Sequence, residues 1–182
     1  MTTALLVIDI QNDYFPGGNM ALVNPEQAAG NAARLLQHFR AKSMLVVHIQ
    51  HISIKNGATF FHPNTDGANI HSLVQPLEHE AIIRKHYPNS FLETNLHECL
   101  QKAGVTHLVV AGMMSHMCID ATVRSAAEHS YTITVAENAC TTANLPFGDD
   151  VIPAQQVHNS FMAALNRAYA TVIPTEQVIL SI

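Results

Sequence analysis

Six short apolar runs recur along the chain, at Ala4–Ile8, Met44–Ile49, Ala81–Ile83, Leu108–Ala111, Tyr131–Val135 and, more weakly, Ala170–Ile173. Longer amphipathic segments lie between several of them. This alternation predicts an α/β protein: a Rossmann-like open sheet of six mainly parallel strands with helices on both faces. The first helix shows the helical period, with Pro25 suited to its first turn and Ala28, Ala32, Leu35, Leu36 and Phe39 on one face. A later stripe of Leu92, Leu96, Cys99, Leu100 and Ala103 stops at Gly104, and another helix is expected from near Pro153 to Tyr169 with Val157, Phe161, Ala164, Leu165 and Ala168 inward. The aperiodic stretch Ile52–Ser72, with Gly57, Pro63 and Gly67, is expected to be a loop that covers a site.

With 182 residues, 48% hydrophobic content and no linker or repeat, the chain is expected to form one domain over residues 1–182. Its net charge of −5 is dispersed and it holds only nine Lys and Arg, which argues against nucleic acid and anionic membrane as partners and for a small molecule. The start lacks a basic leader, and no apolar stretch is long enough to span a bilayer, so a cytoplasmic location is expected. Three widely spaced cysteines, Cys99, Cys118 and Cys140, fit reduced thiols better than a disulfide framework. Cys99 falls on a helix stripe and reads as core.

Ligands of an open parallel sheet bind beyond the carboxyl ends of its strands. The residues there are Asp9, Gln11, Asp13 and Phe15 after the first run; His48, Gln50 and His51 after the second; Arg84 and Lys85 after the third. After the fourth comes Gly112-Met113-Met114-Ser115-His116-Met117-Cys118, followed by a helical pattern. Cys118 is therefore expected in the first turn of a helix, where unpaired N–H groups and the helix dipole favour a thiolate. The plainer reading of Cys118 is a small buried apolar residue.

A thiol with a pKa of about 8.5 needs a proton acceptor and a positive neighbour to act as a nucleophile near neutrality. Asp9 can accept the proton and return it to a leaving amine, while Lys85 holds Asp9 and the sulfur. Backbone N–H groups of Met114 and Cys118 would stabilise the oxyanion of an attacked amide carbonyl, giving a thioester that water then hydrolyses. Gln11 and Asp13 are expected to orient neighbours, and Tyr14, Phe15, Gln50 and Met113 to line the pocket, with Phe15 also readable as core. Each residue alone has a simpler reading, Asp9 as a cap and Lys85 as surface charge. His48 and His51 stand three apart on a strand, hence on opposite faces, and no carboxylate is expected beside them; no metal and no cofactor are expected.

These residues, taken together, resemble the isochorismatase-like cysteine hydrolases. Leu6-Val7-Ile8-Asp9-Ile10-Gln11-Asn12-Asp13-Tyr14-Phe15 is similar to the family's D-x-Q-x-D-x-F start, Arg84-Lys85-His86-Tyr87-Pro88-Asn89-Ser90-Phe91 to its lysine motif, and Ala111 to Cys118 to its nucleophile loop. The resemblance covers nearly the whole chain. It implies Asp9, Lys85 and Cys118 as catalytic residues, a cis peptide at Met113-Met114 that turns the Met114 N–H into the oxyanion hole, a six-stranded parallel sheet, and a homodimer or homotetramer. Family members hydrolyse amides and ureido compounds through the cysteine, or a vinyl ether without it. The Asp/His metal motif of its nicotinamidases is replaced here by Val47-His48-Ile49-Gln50-His51-Ile52-Ser53. Cys140 reads as structural, since no basic residue or helix start accompanies it. Beside amide hydrolysis stand two other readings: vinyl-ether hydrolysis by acid catalysis from Asp9, and a small-molecule-binding or thiol-sensing protein without catalysis.

Overall fold

The computed structural model describes residues 2–182. Its main sheet contains β1 (Thr3–Ile8), β2 (Leu45–His51), β3 (Ala81–Lys85), β4 (His107–Met113), β5 (Thr132–Thr141) and, beyond a hairpin, β8 (Thr171–Ile173). The spatial order is β3-β2-β1-β4-β5-β8, and every neighbouring pair is parallel. The hairpin pairs β6 (Leu145–Phe147) with β7 (Asp150–Ile152).

The sheet is covered on both sides, so its central strands read as continuous apolar runs while their side chains still alternate between two cores. Leu5 and Val7 of β1 face α1 (Pro25–Ala41) and Val178 of α5 (Thr175–Ser181). Ala4, Leu6 and Ile8 face α2 (Leu96–Lys102), α3 (Asp120–Glu128) and α4 (Ala154–Ala168). The buried stripe of α1 contains the expected Ala28, Ala32, Leu35, Leu36 and Phe39.

Other stripes differ from the sequence reading. Leu92 precedes α2 in a turn where the Thr94 hydroxyl donates to the Ser90 carbonyl, and it is exposed; Cys99 is half-buried, leaving Leu96 and Leu100 as the inward pair. In α4 the inward residues are Ala154, Val157, Met162 and Leu165, while Ala164 and Ala168 face outward. Small alanines satisfy either side of a helix, so the bulkier Met162 sets the packed face.

The strand order reverses direction between β1 and β4, which opens a crevice at their carboxyl ends. The two strands come unusually close there. Gly112 has φ +138°, and a Cβ on it would stand 2.0 Å from the Ile8 carbonyl oxygen. Only glycine permits that approach, which sits one residue before Asp9. The register of β4 against β5 shifts between Val110 and Gly112 at the same level.

Candidate active site

Strict alternation would send residue 9 to the α1 side with Leu5 and Val7. Asp9 instead ends β1 with φ 51°, its N–H donating to the Ile49 carbonyl at 3.1 Å. Aspartate tolerates this left-handed conformation better than most residues. The bend places its fully buried carboxylate beside Lys85 and Cys118. Lys85 closes β3 in register with His51 of β2, so the two side chains share one face of the sheet. That is the face of Ile83 and Ile49, under α3.

The Lys85 ammonium is the hub. It lies 2.8 Å from Asp9 Oδ2 and donates to Cys118 Sγ at 3.2 Å, to His51 Nδ1 at 3.1 Å and to the Tyr87 carbonyl at 3.0 Å. Four acceptors thus surround three N–H groups. The contact with Asp9 is an ion pair without a directed hydrogen bond, and both Asp9 oxygens lack a hydrogen-bonding partner. A buried carboxylate held only by an ion pair is costly to maintain and is a common mark of a reacting group.

Cys118 follows the cis peptide Met113-Met114 and stands in one wide π-helical turn, Ser115–Ile119, that leads into α3. The Met114 carbonyl accepts from the N–H groups of Met117 and Ile119. The Ser115 hydroxyl fixes this turn from behind, donating to the Thr141 carbonyl and sharing a 2.8 Å hydrogen bond with His158 Nδ1. Cys118 is thus in the wide turn before α3 rather than in the first α-helical turn.

The expected resting thiolate is not what this environment favours. Burial, reinforced by the negative Asp9, pushes the Cys118 thiol far above its usual pKa, and Lys85 only partly offsets them. Burial alone would lower the Lys85 pKa, but Asp9 and Cys118 outweigh it, so the ammonium is held charged. The site thus favours a neutral thiol at Cys118 beside a charged Lys85.

Asp9, His51 and Cys118 offer an oxygen, a nitrogen and a sulfur within 4.8 Å of one another, a donor set that could hold a divalent ion. The Lys85 ammonium, however, already stands 2.8–3.2 Å from these three side chains. A metal there would meet a fixed positive charge, so these residues do not fit one. His48 points to the other face, as its spacing from His51 requires, and bonds Glu80 at 2.9 Å. Carboxylates therefore do stand beside both histidines, brought by tertiary contact from distant parts of the chain.

Gln11 and Asp13 organise the surroundings. Asp13 accepts from the N–H groups of Asn19 and Phe61 and packs so closely on Gly67 that a Cβ there would lie 2.2 Å from its Oδ1. The segment 52–72 is pinned in this way and walls a cavity of about 340 Å³. His51, Phe60, His86, Tyr87, Pro88 and Met117 line that cavity, and both His51 and Tyr87 touch the Lys85 ammonium.

Of the four expected pocket residues, Tyr14 lies against the site. Burial first, and then its acidic neighbours Cys118, Asp9 and Asp13, hold its phenol well above the usual pKa, and its ring packs edge-on against Phe61. Met113 is fully buried beneath the cis bond. Phe15 stacks on His71 and lines a different cleft. Gln50 faces the opposite side of the sheet, where its amide bonds the Ala68 carbonyl and Arg84. The residue that its neighbourhood suggested is His51, one position on; parity along β2 and its pairing with Lys85 are the signals that identify it. Cys140 lies in another cleft with Glu137 and His158, its thiol pushed up to about 12 by burial.

Residues 3–177 match the family model described as Isochorismatase domain. The chain is 63% identical to the isochorismatase family protein YddQ of Bacillus subtilis (strain 168), over 97% of this chain and 98% of that protein. It is 32% identical to a streptothricin hydrolase of Streptomyces noursei, over 81% of this chain and 52% of that protein. Among solved structures, an isochorismatase hydrolase of Oleispira antarctica superposes with a TM-score of 0.95 at 46% identity, covering 98% of this chain and 96% of that one. With this fold, this crevice and these matches, the chain belongs to the isochorismatase family of hydrolases.

Proposed function

We propose that the protein is a cysteine-dependent amidohydrolase that cleaves a C–N bond of a small amide or ureido compound through a thioester. The observation that carries this reading is the Lys85 ammonium, which bridges the Asp9 carboxylate and the Cys118 sulfur inside a buried site next to a cavity. A purely structural core has no need of such a costly arrangement. The hydrolase named among its relatives, from Streptomyces noursei, is consistent with it.

Because the thiol rests protonated, deprotonation accompanies attack. As substrate enters, Asp9 takes the S–H proton and Sγ bonds the carbonyl carbon, while Lys85 N–H stabilises the developing negative sulfur. The N–H groups of Met114 and Cys118 receive the oxyanion. The tetrahedral intermediate collapses, the C–N bond breaks, and Asp9 returns the proton to the departing nitrogen. Asp9 then takes a proton from water, whose hydroxide attacks the thioester. The acid leaves, and the sulfur regains its proton. No redox step occurs.

Release of ammonia or amine from a panel of small amides and ureido compounds tests the reading, with Cys118→Ala alongside. Turnover is expected in the wild type and a loss of at least about 10³-fold in the variant. Equal turnover by both would remove Cys118 from the chemistry.

A further inference from the structure

We propose that His51 is a specificity-determining hydrogen-bond donor, which selects planar amides carrying a second acceptor atom close to the scissile carbonyl. The inference rests on the amidohydrolase reading for which bond is cleaved, and on geometry alone for the binding.

Three observations support it. First, the ammonium of Lys85 can only donate, so His51 Nδ1, 3.1 Å away, accepts and carries no proton. In a neutral ring the proton must then reside on Nε2. His51 is neutral at physiological pH, since burial lowers its pKa to about 4. Second, His51 lines the cavity, and with Nδ1 taken up by Lys85 its Nε2 is the ring nitrogen left to meet a ligand there. Third, the strand end that carries the ring is held in place. Gln11 clamps the backbone of His51 from both sides, accepting from its N–H at 2.7 Å and donating to its carbonyl at 2.9 Å. Such a fixed donor in a partly desolvated cavity rejects ligands that leave it unpaired. Phe60, Tyr87 and Pro88 in the lining offer ring surfaces on which a flat ligand can pack.

Two substitutions separate the roles of the ring. Asn places an acceptor oxygen as many bonds from Cα as Nδ1, so His51→Asn keeps the contact with Lys85 and loses the donor in the cavity. Gln places an N–H as far out as Nε2, so His51→Gln keeps the donor. The probes are pyrimidine-5-carboxamide and benzamide, which share a shape; the first presents a ring nitrogen on either edge. Binding is followed by ¹⁵N-histidine NMR in the Cys118→Ser background, so that bound amide is not consumed, and the His51 signals are assigned by their loss in His51→Asn.

The free protein should show a protonated Nε2 and a bare Nδ1 at pH 7. Pyrimidine-5-carboxamide should shift the Nε2–H signal and bind about tenfold tighter than benzamide, a preference retained in His51→Gln and erased in His51→Asn. Ring electronics cancel because preferences are compared between variants. A proton on Nδ1, equal binding of the two amides, or an undiminished preference in His51→Asn would overturn the proposal. If these binding results hold while the panel of small amides and ureido compounds is turned over equally by the wild type and Cys118→Ala, the hydrolase reading is at fault and the donor assignment stands.

Discussion

Gln11 and His51 are joined by two hydrogen bonds that imitate a strand pairing: the Gln11 side-chain amide accepts from the His51 N–H and donates to the His51 carbonyl. The same Gln11 nitrogen also donates to the Ala68 carbonyl at 2.8 Å, tying the end of β2 to the segment that walls the cavity. Replacing Gln11 with Leu strips the side-chain partner from the His51 N–H and carbonyl, each worth about 1–3 kcal/mol when left unpaired, while the Ala68 carbonyl keeps Gln50. Gln11→Leu should lose about 3 kcal/mol in urea unfolding, with a KM increase larger than its kcat decrease. An unchanged unfolding midpoint would show that the clamp carries no energy.

Lys85→Met leaves the Asp9 carboxylate buried without a countercharge. Breaking one side of a buried pair costs about 3–5 kcal/mol, whereas removing both is far milder. The single variant should be strongly destabilised, and adding Asp9→Asn should restore most of the loss, while neither protein turns over amides. Denaturant unfolding of both variants checks the sign of the recovery.

Asp9→Asn should make Cys118 more reactive toward a simple alkylating agent although it abolishes catalysis. The negative Asp9 helps hold the thiol pKa up, and Lys85 opposes it. Neutralising Asp9 therefore favours the thiolate. Iodoacetamide labelling of Cys118 between pH 7 and 9, read by mass spectrometry of the intact protein, should be faster in Asp9→Asn than in the wild type. Slower labelling would place the dominant control elsewhere.

Stability should fall as pH drops below about 6.5. His51 titrates near 6.5 when unfolded and at about 4 when folded, so between these values the unfolded chain binds more protons. Its contribution is complete above pH 6.5 and lost by about pH 4, a change of up to about 3 kcal/mol. Glu80, held down to about 2 by Arg40, the Leu77 N–H and His48 against the opposing effect of burial, extends the loss into more acidic solution. Thermal unfolding should therefore show a lower Tm at pH 5 than at pH 7, with the drop reduced in His51→Asn.

The alternating apolar runs, the stripe of α1 and the three motifs around Asp9, Lys85 and Cys118 were legible in the residues because each depends on local periodicity. A parallel sheet buried on both faces needs apolar strands, and locating its carboxyl ends was enough to single out these three side chains as neighbours. Boundaries failed where small residues such as Ala164 and Ala168 suit either environment, and where Leu92 lay before a turn that a side-chain hydroxyl shapes.

Tertiary structure alone decided the rest, because hydrogen bonds and desolvation act between residues distant in sequence. Strand register put His51 rather than Gln50 beside Lys85. A left-handed residue carried Asp9 off the face its parity assigned. The depth of burial, which no spacing encodes, pushes the Cys118 thiol pKa up and so favours the neutral thiol over a standing anion.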